Sequence, residues 1–155
     1  MLLSNFISEE LVLCNVSGEN KEQVISNIID NVSKNRPDLM DYKTFCSEVL
    51  TREKLGSTGI GDEIAIPHAR TDLVNQMVIT FARTEEAINF EAIDGLPVQY
   101  IFLIAVPTNE LKTYLTTLAM ISRLVKDKEI RSLMKNCQNG LEFLNGIKRF
   151  EEKVE

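Results

Sequence analysis

The sequence predicts an α/β fold: a mixed β-sheet flanked by α-helices in a single-domain sandwich. Residues 98–106 (Val-Gln-Tyr-Ile-Phe-Leu-Ile-Ala-Val) are apolar almost without a break, the pattern of a strand covered on both faces. Helical spacings of apolar residues stand before and after this strand-like middle, so helices are available to flank a sheet. At 155 residues, 44% hydrophobic and 26% charged, the chain can bury a core of ordinary size without a disulfide or metal staple. One domain over residues 1–155 is expected, with no internal repeat, low-complexity tract or linker.

Residues 10–16 form a short apolar run that Ser17-Gly18 breaks, as a strand entering a turn does. From Asn20 onward Val24, Ile25, Ile28, Ile29 and Val32 recur at three and four residues. Asn20 and Gln23 have capping-box spacing, and Arg36-Pro37 stops the helix. A second helix is predicted from near Asp41, burying Phe45, Val49 and Leu50, to Leu55-Gly56, where glycine offers a left-handed cap. A glycine-rich loop and a short strand over 64–66 follow, then a strand over 77–82. Asp94-Gly95 and Pro97 mark a turn before the central strand, which makes 90–93 a hairpin arm, and Pro107 ends that strand. Leu111, Tyr114, Leu115, Leu118, Ala119, Ser122 and Val125 repeat at helical spacing and predict a long helix packed on the sheet. Shorter helices are predicted near 129–135 and 141–150.

The formal net charge of -6 argues against nucleic acid as a partner and suits a basic protein. Cys14, Cys46 and Cys137 are an odd number without a Cys-x-x-Cys pair, and one histidine is too few to complete a zinc site. They read as reduced thiols that fill the core. The opening Met1-Leu-Leu-Ser has neither a basic leader nor a long apolar run, so no signal peptide or membrane span is read there and a cytoplasmic location is expected.

The chemistry concentrates between Gly56 and Arg70, a stretch with three glycines, two hydroxyls, a proline and the chain's single histidine, His68. Imidazole is nucleophilic when neutral and titrates near neutral pH, so a phosphate-friendly loop leading to it predicts a phosphohistidine. Nucleotide readings fail. Gly56 and Gly61 have the spacing of a P-loop, but Asp62-Glu63 stands where that loop needs lysine and a hydroxyl. Gly59-x-Gly61 opens a dinucleotide fingerprint, but Ile64 occupies its third glycine position. A monophosphoryl group needs only backbone N–H donors, a hydroxyl or two and one guanidinium, which Gly59, Gly61, Ser57, Thr58 and an arginine can supply. No metal or cofactor is required when the donor is itself a phosphoramidate.

The runs Arg52-Glu-Lys-Leu-Gly-Ser-Thr-Gly-Ile-Gly61 and Ile64-Ala-Ile-Pro-His-Ala69, with residues 88–98 and the apolar strand after them, resemble a known family. It is the fructose/mannitol/nitrogen-type enzyme IIA (type 2) domains of the bacterial phosphoenolpyruvate-dependent sugar phosphotransferase system. The resemblance covers nearly the whole chain. It implies that His68 takes a phosphoryl group from the carrier HPr, or its nitrogen-branch counterpart, and passes it to an enzyme IIB during sugar uptake. The membrane is then involved only indirectly, through the sugar permease. Arg52 matches the family's arginine, which implies stabilisation of the phosphoryl oxygens. Many members carry a second histidine where Leu111 or Tyr114 stands here, and Tyr114 offers one hydrogen bond in its place. Lys112-Thr113 before an aromatic, and Ala92-Ile93-Asp94 before Gly95, lean towards the nitrogen branch, whose phosphorylation state controls partner proteins.

Overall fold

The computed structural model describes residues 1–154. Its centre is β6 (Val98–Pro107), buried along nearly its whole length, as its unbroken apolar run predicts. Beside it lies the antiparallel β5 (Val78–Ile88), and β1 (Val12–Val16) pairs parallel with β5. On the other flank of β6 run two short parallel pieces, β3 (Ile64–Ala65) and β4 (His68–Thr71), with β2 (Gly59–Gly61) antiparallel to β3. These six strands make the mixed sheet.

Local chemistry explains the helix ends. α1 (Lys21–Asn35) starts at Asn20, whose side chain accepts from the Gln23 N–H at 2.8 Å, while Gln23 accepts in return from the Glu19 N–H at 2.7 Å. α2 (Tyr42–Lys54) starts at Asp41, which accepts from both the N–H and the hydroxyl of Thr44. The left-handed cap expected at Gly56 is absent: the glycines with positive φ are Gly61 and Gly95. Instead the Arg52 guanidinium donates to the Gly56 carbonyl at 2.9 Å, closing the last turn with a side chain. α3 (Leu111–Leu124), α4 (Lys128–Asn136) and α5 (Gly140–Val154) complete the molecule. No helix is long and apolar enough to cross a membrane among the described residues.

The core is anchored by aromatic contacts. Phe81 of β5 stacks on Phe143 of α5 with ring centroids 4.2 Å apart and meets Phe102 of β6 edge-on at 5.3 Å. Two expectations need correction. Residues 90–93 are not a hairpin arm: β5 itself runs on to Ile88 and pairs with Val98, and 89–97 is the loop that joins β5 to β6. Glu91 there takes a left-handed backbone (φ 55°), outside the extended region of a regular strand. The buried face of α3 is Thr117, Ile121 and Leu124, not the stripe read from Leu111 and Leu115, which are 46% and 55% exposed. Among the cysteines Cys137 is buried, while Cys14 and Cys46 are half-buried. The Cys14 and Cys137 sulfurs lie 3.7 Å apart, and burial pushes the Cys137 thiol up to about 12.

Candidate active site

β3 and β4 would be one strand but for Ile66-Pro67, which fall outside the paired register with β6. Proline has no N–H to give a ladder, yet the register against β6 is the same on both sides of the gap and the Pro67 carbonyl still accepts from the Ile104 N–H at 3.0 Å. The break leaves the Ile66 carbonyl beside the imidazole, and His68 Nδ1 lies 2.9 Å from it. A carbonyl can only accept, so Nδ1 carries the proton and donates. The neutral ring then has its lone pair on Nε2. The Tyr114 hydroxyl of α3 lies 2.8 Å from Nε2 and 3.4 Å from Nδ1, over the face of the imidazole, with the two rings 4.8 Å apart and tilted by 43°.

The surroundings keep this ring uncharged. Burial, first of all, pushes the His68 pKa below its ordinary value, and the nearby Arg52 guanidinium pushes it further. The Ile66 carbonyl and the Glu53 carboxylate act in the other direction without reversing the shift. Burial also raises the Tyr114 hydroxyl, which therefore stays a donor. The imidazole is 9% exposed, yet it is not sealed in. It forms part of the wall of an open depression of about 460 Å³ shared with Ser47, Thr51, Arg52, Leu55 and Arg70. α2 presents Arg52 and β4 presents His68 to the same hollow because α2 packs directly on β4.

The structure therefore brings His68, Arg52 and Tyr114 together. It places the other four predicted site residues differently. Ser57 Oγ donates to the Phe90 carbonyl and accepts from the Gly59 N–H, so its hydroxyl is committed to the loop. Thr58 is buried and donates to Glu53 through both its N–H and its hydroxyl. A Cβ at Gly59 would sit 2.7 Å from the Ala92 Cβ, so glycine is required there for the loop to close on its neighbour. Gly61 takes φ 95° at the turn into Asp62. None of these four lines the depression; they shape the loop that leads to it.

Arg70, which closes the stretch singled out by the sequence and is secondary there to Arg52, lies at the site, whereas Lys21 and Glu53 were missed by sequence reasoning. Arg70 lines the depression and donates to the Thr108 carbonyl at 3.0 Å. Lys21 and Glu53 are buried, 8% and 4% exposed, with nitrogen and oxygen 3.5 Å apart. Neither announces itself, because a lysine opening an amphipathic helix and a glutamate near the end of one both read as solvated. Only Glu53's place beside Arg52 was a signal.

Comparisons with known proteins identify the family. Residues 5–150 match the family model described as phosphoenolpyruvate-dependent sugar phosphotransferase system, EIIA 2. The nitrogen regulatory protein of Klebsiella oxytoca is 34% identical over 141 residues, spanning 90% of this chain and 86% of that protein. The fructose-specific EIIABC component of the same system in Bacillus subtilis is 31% identical over 139 residues. That match takes in 90% of this chain but 22% of that relative's length. The crystal structure of the nitrogen regulatory protein IIA-Ntr from Neisseria meningitidis aligns with a TM-score of 0.83 at 27% identity, over 94% of this chain and 98% of that one. Since the matched span contains the sheet, the broken strand and the hollow around His68, the chain belongs to the type 2 enzyme IIA family of the phosphoenolpyruvate-dependent sugar phosphotransferase system.

Proposed function

We propose that His68 accepts a phosphoryl group on Nε2 from phosphorylated HPr, or its nitrogen-branch counterpart, and hands it to an enzyme IIB. The observation that carries this reading is the hydrogen bond at the ring: Nδ1–H is tied to Ile66, so the one lone pair left is at Nε2. The Tyr114 hydroxyl, 2.8 Å from Nε2 and 3.4 Å from Nδ1, lies over the ring face and not on the in-plane axis of that lone pair. Nε2 then attacks phosphorus in line, and the donor's P–N bond breaks with its electron pair returning to the donor ring. The Nδ1 proton stays on His68 throughout, its positive ring held by the Ile66 carbonyl. One protonated phosphoimidazole replaces another, so the step is close to isoenergetic and reversible. Arg52 offsets the charge on the phosphoryl oxygens, and the Tyr114 hydroxyl beside Nε2 donates to one of them. Ser57, Thr58, Gly59 and Gly61 support the phosphoryl group indirectly, by holding the loop that holds the ring.

Incubation with labelled phosphoenolpyruvate, enzyme I and HPr or its counterpart should place an acid-labile label on the protein. The label should fall about 10⁴-fold or more in His68→Gln. A wild-type protein that takes no label from either donor overturns the proposal. A second reading is favoured by the nitrogen regulatory protein of nearly the same length as this chain: a regulatory module whose phosphorylation state controls partner proteins. A cognate enzyme IIB separates the two, because a transport component must surrender its label to it.

A further inference from the structure

The residue whose carbonyl receives His68 Nδ1–H is itself tied to the loop through its own N–H. The Ile66 N–H donates to the Thr58 carbonyl at 3.0 Å. Thr58 in turn is clamped from the other side, its N–H donating to Glu53 Oε2 at 2.9 Å and its hydroxyl to Oε1 at 2.6 Å. Both carboxylate oxygens are thus engaged by a single residue. The charge is answered by Lys21, whose ammonium nitrogen lies 3.5 Å from Glu53 and 3.2 Å from Glu91. An unbroken series of bonds therefore runs from the last turn of α2, through the loop and the break between β3 and β4, to the imidazole ring.

Burying a carboxylate is costly unless it is paired and hydrogen-bonded, and a buried ion pair is a weak source of net stability. What such a cluster does supply is direction, since charge-assisted bonds are short and hold a fixed geometry. The body of the β2–β3 edge is held by pairing with β6 and by Arg131 on Asp62 and Glu63, but at the Ile66 step the N–H is held by the Thr58 carbonyl. Resting on the phosphoryl-acceptor reading above, we propose that Glu53 is a positioning residue. Through Thr58 and Ile66 it holds His68 as the Nδ1–H tautomer, with Nε2 as the attacking atom. The same carboxylate steadies the end of α2 that carries Arg52, so one buried group sets both the nucleophile and its neighbouring cation.

The test uses ¹⁵N-labelled protein and needs no phosphoryl donor for its first part. Long-range ¹H–¹⁵N spectra of the imidazole should show the Nδ1–H tautomer in the wild type and a mixture with the Nε2–H tautomer in Glu53→Gln. The Ile66 amide should exchange with solvent at least about tenfold faster in the variant, while β5 and β6 amides keep their protection. The second-order rate of phosphorylation should fall about tenfold. A purely structural role would instead lower protection across the whole sheet and leave the tautomer unchanged. Thr58→Val, which keeps every charge, should shift the tautomer in the same direction to a smaller extent, and Thr58→Ser should restore it. Should Glu53→Gln fail to fold, the two Thr58 variants decide. An unchanged tautomer, or an unchanged transfer rate, in folded variant protein overturns the proposal. Failure of wild-type protein to take phosphate, with the tautomer responding as stated, would instead remove the phosphoryl-acceptor reading and leave the positioning effect standing.

Discussion

Both flanks of β6 rest on ladder pairing and apolar burial, but they differ in what is added to it. On the β5 side the ladder runs from Val78 opposite Ala105 to Ile88 opposite Val98, and Ile79, Phe81 and Ala82 are fully buried. Burial of apolar surface is non-directional, so this flank gains stability without any one contact deciding its shape. On the other flank Ile64 and Ala65 are equally buried, but β3 and β4 are short, Ile66-Pro67 between them are unpaired, and directional bonds from Glu53, Thr58 and Ile66 are added at that step. The added bonds aim a ring. Substitutions on the two sides should therefore separate stability from transfer.

The largest effect on folding is expected on the β5 side. Phe81→Ala removes a ring packed between Phe143 and Phe102, and the resulting cavity should cost about 3–5 kcal/mol in urea unfolding. Whatever protein remains folded at low temperature should still accept phosphate at nearly the wild-type rate. Slow transfer in that folded fraction would show that the two flanks are not independent.

Arg52→Ala makes the converse separation. Arg52 is only half-buried and its one recorded bond goes to the Gly56 carbonyl, so its loss should lower stability by no more than about 1 kcal/mol. Loss of a cation beside the developing charge should slow phosphoryl transfer about 10²-fold. Parallel losses of folding and transfer would make Arg52 a helix cap and nothing more.

The same division governs what could be read from the sequence. The β5–β6 core and the helices were legible because burial leaves a period in the chain: 98–106 reads as a covered strand, and Val24 to Val32 read as one helical face. Asn20 and Asp41 announced their helices because a capping side chain acts within three residues of itself. The composition of glycine, hydroxyl and histidine drew attention to this loop, and the structure puts Tyr114 2.8 Å from His68 and Arg52 on the wall of the same depression. The bonds from Glu53 to Thr58 and from Ser57 to Phe90 were not legible, because they join residues whose types are equally at home in solvent. The α3 face was misread for a related reason. Leu111 and Leu115 keep helical spacing yet face outward, near the tyrosine that touches His68, so the apolar stripe does not mark the buried side.

The finest distinction between the flanks is one proton on one ring. Burial pushes the His68 pKa in the folded protein below its ordinary 6.5. Between those two values the unfolded chain binds a proton that the folded chain does not, so stability rises with pH across that window. The contribution of the neutral ring is fully present above about pH 6.5 and is lost as the pH falls towards the folded value. Urea midpoints of wild type and His68→Gln, measured from about pH 7.5 to pH 5, should therefore converge or cross in the acidic direction, with the wild type losing ground. The lowered carboxylates Asp38, Asp41 and Glu10 are common to both proteins and cancel in the difference. Phe81→Ala, acting on the opposite flank, should weaken both proteins without moving the window. A difference that stays constant with pH would mean the ring titrates in the fold as it does in the open chain. The hollow would then be wet rather than desolvating, and the neutral lone pair at Nε2 would owe nothing to its surroundings.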